Sequence, residues 1–334
     1  MSTEYPPIPP AQPELQWSQS PYVSSDAAYQ AWPVKRFQHR YWLHVSLLLA
    51  TILTTTLAGG LHYASFASNF GATNLSLPRG GLLWYICSHG VWYSGTLLLI
   101  LGAHEMGHYL LCRFHQVDAT LPYFLPVPLP LTGTLGAFIK IREPFPIRRI
   151  LFDIGVAGPL AGFVVLVPAL FLGMAMSNVA RLPADFQGWS LGEPLLFRAA
   201  ASLVWGSVPD GSSINMHPMV FASWFGLFAT ALNLMPFGQL DGGHISYAAF
   251  GRRSTAISLL TIAVAIGLTF LSRSWLTITV IMVIMLFLFG PRHPSVIDES
   301  LELDRSRRAI AALAAIVFIV CFTPVPFEPF DLLP

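Results

Sequence analysis

Apolar positions along this chain fall in long unbroken runs, at about 43–61, 83–112, 150–176, 218–240, 256–272, 275–290 and 309–323. Crossing a bilayer as a helix takes roughly 20 apolar residues. The pattern therefore predicts an all-α polytopic membrane protein with six to seven transmembrane helices, the last two runs being short for that length. Between the second and third runs lies "LPYFLPVPLPLTGTLGAFIKIREPF", too apolar for a solvated loop, in which Pro122, Pro126, Pro128 and Pro130 forbid a regular helix. A re-entrant or interfacial segment at about 120–145 is expected, since irregular backbone at membrane depth needs protein or a water-filled cavity to satisfy it. The connection at about 177–216 is shorter than the roughly 50 residues of a small domain, which argues against an accessory module there.

Composition agrees: 54% of the 334 residues are hydrophobic and only 10% charged, with a mean hydropathy of +0.59. Lys plus Arg (18) nearly balance Asp plus Glu (17), so nothing points to nucleic acid. Cys87, Cys112 and Cys321 are far apart and are expected as free thiols. The first residues, as in "YPPIPPAQPE", are polar and proline-rich, the pattern of a disordered tail and not of a cleaved signal. A cytosolic N-terminus leaves only Arg79, Arg181, Arg198 and Arg273 on the outer side, which sets orientation by the positive-inside rule. With no transit peptide in view, a bacterial cytoplasmic membrane is the expected host.

Against this background "AHEMGHYLL" stands out, because it puts a Glu and two His inside an apolar run. On a helix, His104 and His108 leave the same face four residues apart and can meet one metal ion, with Glu105 beside it. Composition alone gives about 0.007 chance matches to H-E-x-x-H in this chain. The competing account is an interhelical hydrogen-bond network without metal, but ionisable residues at membrane depth are functional by default. Catalytic zinc takes three protein ligands and keeps one position open. Asp241 in "ALNLMPFGQLDGGH" is the best third ligand; its rival Asp153 sits near Arg148 and Arg149, where an acid is cheap. Pro236, Gly238, Gly242 and Gly243 break the helix around it. Asn233, eight residues earlier, offers an amide to a substrate carbonyl or oxyanion, or serves as a turn or cap residue. His115 reads as interfacial, His244 as a neighbour of the site or a surface residue, and "GVAGPLAG" (Gly155–Gly162) as close helix packing around the site.

"HEMGH" on one span and "NLMPFGQLDGG" on a later one resemble the membrane-embedded site-2 protease family of zinc metalloproteases, in particular the branch carrying "GTLGAFIKIREPF" and "LDGGH". The resemblance covers roughly residues 95–250. It implies His104, His108 and Asp241 as ligands of Zn2+, Glu105 as the general base toward the attacking water, and Asn233 as a substrate contact. It also implies that "GTLGAF", with Gly133 and Gly136, is a re-entrant β-hairpin whose edge receives substrate as an added strand. The implied activity is intramembrane endopeptidase cleavage of membrane-anchored proteins within the lipid bilayer. The implied organisation is a tail (1–40), an anchor and outer loop (41–82), a catalytic core (83–250) and C-terminal helices with a short tail (251–334). A proteolytically inactive member that binds or regulates transmembrane proteins is the alternative, which the intact Glu105 argues against. A metal transporter would need further ionisable residues along several spans.

Overall fold

In the computed structural model, residues 37–73, 81–183, 188–290 and 293–329 are described; all but the last four residues of the expected tail (1–40), with Arg79 and Arg292, lie outside them. Every apolar run forms a helix. In chain order the helices are α1 (Tyr41–Ser68), α2 (Gly81–Phe114), α3 (Arg148–Ala175), α4 (Leu195–Trp205), α5 (Pro218–Leu234), α6 (Asp241–Phe250), α7 (Ser254–Leu271), α8 (Ser274–Phe289) and α9 (Arg305–Cys321). Among the described residues, four helical stretches are long and apolar enough to cross a membrane: α1, α2, α3 and the continuous Asp241–Leu271. Helices α5 and α8 are shorter, at 17 and 16 residues. The run at 218–240 does not stay helical to its end because Pro236 disfavours helical backbone at Met235, whose ψ is 128°.

The proline-rich segment folds as an antiparallel hairpin of β1 (Tyr123–Pro126) and β2 (Thr134–Phe138). Tyr123 pairs with Phe138 and Phe124 with Ala137, and the register then shifts so that Pro126 faces Thr134. The turn is tied to the helices. His62 Nε2 on α1 lies 2.8 Å from the Leu131 carbonyl, and the Tyr93 hydroxyl on α2 donates to Leu131 and Thr132 at 3.3 and 3.2 Å. Gly133 has φ +70°, and a Cβ there would stand 2.6 Å from the Thr54 carbonyl of α1. Only glycine fits that approach.

The core forms where α3 packs on α2, α5 and α6. Phe152, Leu166 and Leu170 of α3 and Val220, Trp224 and Leu227 of α5 are buried in one apolar cluster. The connection between α3 and α5 is short, as expected, yet ordered in its described part. β3 (Asn178–Arg181) pairs with β5 (Ser212–Asn215), and β4 (Trp189–Leu191) pairs with β6 (Phe327–Pro329) near the C-terminus. Asn215 Nδ2 donates to the Phe66 carbonyl at 2.8 Å, joining this connection to the end of α1. At the opposite ends of the helices, Arg142 donates to the Gln38 carbonyl at 2.9 Å and Arg149 to the Glu302 carbonyl at 2.8 Å.

Candidate metal centre

Three helices build the centre. His104 and His108 project from α2, one turn apart, and Asp241 is the first residue of α6, just past the break that ends α5. His104 Nε2 lies 3.1 Å from Asp241 Oδ2, and His108 Nε2 lies 3.3 Å from Asp241 Oδ1. The two Nε2 atoms are 3.1 Å apart. Helix α3 closes the back: His108 Nδ1 is 2.7 Å from the Ile154 carbonyl. A carbonyl only accepts, so Nδ1 carries the ring proton and Nε2 of the neutral ring turns a lone pair toward His104 and Asp241. The donor set of two imidazoles and one carboxylate is that of a zinc site with a position left open, and it is the one such cluster of His, Cys, Asp and Glu among the described residues.

Glu105 does not join this cluster. It is 6% exposed, one residue after His104, on a helix that packs against β2, and it lies near Ile139, directly after that strand. The hairpin and the acid are thus neighbours. Asn233, on the last turn of α5, has its Nδ2 3.3 Å from His104 Nε2, so the structure brings it to the edge of the cluster. Gly133 and Gly136 sit in the hairpin, away from the three donors; Gly136 has φ +104° and open space where a Cβ would be.

The glycines of "GVAGPLAG" pack α3 against the histidines: a Cβ on Gly158 would stand 2.1 Å from His108 Nε2. His115 turns toward the protein, at ion-pair distance (3.1 Å) from Asp153 but without hydrogen-bond geometry. His244 meets His293, a residue with no motif around it, 2.6 Å away. Burial holds the His293 imidazole below its ordinary range, partly offset by its bond with the Pro294 carbonyl, and so favours the neutral ring.

Comparison with known proteins bears on this geometry. The model of peptidase family M50 matches residues 92–273, which include both histidines, Glu105, the hairpin, Asn233 and Asp241. The chain belongs to this family. It is similar to the probable zinc metalloprotease EGY2, chloroplastic, of Oryza sativa subsp. indica, at 31% identity over 250 residues, 73% of this chain and 44% of the relative. It is also similar to the probable zinc metalloprotease EGY1, chloroplastic, of Arabidopsis thaliana, at 31% over 238 residues, 69% and 42%. The Arabidopsis thaliana EGY2 matches at 29% over 259 residues, 76% and 44%. The chain thus spans less than half the length of these M50 relatives. No solved structure matches it.

Proposed function

We propose that this M50 chain is an intramembrane zinc endopeptidase in which His104, His108 and Asp241 hold the ion and Glu105 moves the proton. The observation that carries the reading is the convergence of two buried imidazoles and the part-buried Asp241 carboxylate, with the buried Glu105 carboxylate beside them. Zinc held there would supply Lewis acidity, lowering the pKa of a water toward about 7 and polarising the scissile carbonyl. Glu105 takes a proton from the attacking water and returns it to the leaving amine nitrogen, so that water is added across the C–N bond. His108 keeps its orientation through Ile154, and Asn233 offers its amide to the substrate carbonyl from beside His104.

The substrates are membrane-anchored proteins. A helical substrate hides its peptide groups, so a stretch must become extended before Glu105 can act on it. β2 offers an edge for that stretch, with Ile139 at its end near Glu105. In this reading the hairpin is a re-entrant element at about 120–145, and Gly133 and Gly136 shape the strand that receives substrate. Six to seven spans, a cytosolic N-terminus and the division into tail, anchor, catalytic core (83–250) and C-terminal helices belong to the same reading. We retain a bacterial cytoplasmic membrane as host; the relatives' names place those proteins in chloroplasts.

The test is Glu105→Gln in the full chain. It is expected to retain zinc, measured as bound metal per chain, and to lose cleavage of a single-span reporter by about 100-fold or more, the usual contribution of a general acid/base. Cleavage at the wild-type rate, or a wild-type chain that binds no zinc, overturns the reading.

A further inference from the structure

Helix α6 carries more than the carboxylate. One turn after Asp241, His244 Nδ1 lies 2.6 Å from His293 Nε2. His293 belongs to residues 293–304, a segment beyond the M50 match that returns from α8 across the same end of the molecule. Four further contacts fix it there. The His293 ring stacks on Tyr247, centroids 4.4 Å apart and planes at 14°. The Tyr247 hydroxyl donates to Glu299 at 2.7 Å. The backbone N–H groups of Ile297 and Asp298 donate to the carbonyls of Phe145 and Pro146, at 3.0 and 2.9 Å, just ahead of α3.

The proton order along this chain of bonds is determined by its end. His293 Nδ1 is 2.6 Å from the Pro294 carbonyl, which only accepts, so Nδ1–H donates. In the neutral ring Nε2 then accepts, and the donor must be His244 Nδ1–H. The pair is directional, and it tethers α6 to a segment that is itself bonded to the chain entering α3.

We propose that residues 293–304 are a strap that positions Asp241, with His293 as its anchor. A helix with a ligand in its first turn can miss the ion by rolling about its axis or sliding along it. His244 and Tyr247 are the residues of the next turns, and the strap holds both. Buttressing of this kind is known to matter: groups that orient metal ligands from behind typically change metal affinity 10–100-fold when removed. His293 touches neither metal ligand nor reacting atoms, so it is a positioning residue. A cavity of about 590 Å3, lined also by Tyr247, Arg252 and Glu299, lies beside it.

The inference rests on the zinc reading of His104, His108 and Asp241. Its test is zinc affinity of the metal-stripped full chain, measured by competition with a chromophoric chelator, alongside thermal unfolding. His293→Ala is expected to weaken zinc binding about tenfold or more. His293→Gln, whose carboxamide oxygen replaces the Nε2 acceptor, should recover most of that loss, and Tyr247→Phe should shift affinity in the same direction by less. A wild-type chain that binds zinc tightly beside a His293→Ala chain within twofold of it overturns the strap alone. So does a His293→Gln chain that folds but binds as weakly as His293→Ala. A wild-type chain that binds no zinc overturns both readings.

Discussion

His108 has every polar atom committed. Nδ1 donates to Ile154 and Nε2 faces His104 and Asp241, while the backbone of α3 comes so close at Gly158 that a single methyl group would collide with the ring. Gly158→Ala is therefore expected to displace the imidazole and cost at least tenfold in zinc retention, measured as metal bound per chain. Gly162→Ala, whose Cβ would meet His104 Cβ at 3.2 Å, should be tolerated better because only a small shift relieves it. At this scale the sequence was informative where the chemistry is local. The four-residue spacing of His104 and His108 encodes a shared helical face, with Glu105 between them. It was silent on His293, since nothing near that residue announces a partner 49 positions away. It set Asp153 aside as an acid near Arg148 and Arg149, and it did not reveal that Arg307 of a distant helix pairs with it.

The hairpin shows what an element can reveal through what it cannot be. Four prolines excluded a helix, but strand pairing depends on which backbone groups face each other, and only the fold supplies that. In the observed register Leu135 stands opposite no β1 residue, at the shift between the Phe124 and Pro126 pairs, and it is 67% exposed. Leu135→Pro breaks up the hairpin that presents this edge, because Pro126 has no N–H to give and its pairing with Thr134 turns the Leu135 N–H toward β1. Reporter cleavage should fall about tenfold or more with bound zinc unchanged, and equal cleavage would exclude strand addition at this edge. The same lesson holds for α5. Its apolar run reaches 240 in sequence, yet the helix stops at Leu234, because hydrophobicity records burial while Pro236 dictates backbone. The break that shortens it is what brings Asp241 to the start of α6.

Across the whole molecule, polar contacts hold together helices far apart in sequence. Arg307 of α9 donates to both carboxylate oxygens of Asp153 on α3, at 2.8 and 2.6 Å, and also pairs with Asp304. Removing one partner leaves a largely buried acid uncompensated. Because Arg307 is 26% exposed, water moderates the loss, and Arg307→Met should cost about 1–3 kcal/mol in thermal unfolding. Adding Asp153→Asn should restore part of it. Stripping zinc with a chelator should lower Tm in the wild type and leave His104→Ala nearly unmoved, since an ion that binds only the folded state stabilises it by mass action. Seven helical runs could be read from hydrophobicity alone, but not which of them cross a membrane unaided, because that depends on where backbone breaks cut them.

The separation of His104 and His108 from Asp241 by about 130 residues has a consequence for how the protein is made. During synthesis α2 emerges first, carrying two imidazoles and an acid without the carboxylate that meets them in the fold. The carboxylate follows only after α3 to α5, and the strap after α8. Chains grow at roughly 5–20 residues per second, so for several seconds each nascent molecule sits in the bilayer among other newly inserted helices with an incomplete centre. On the proposed reading, the chain cannot act on its neighbours until Asp241 has joined the two histidines.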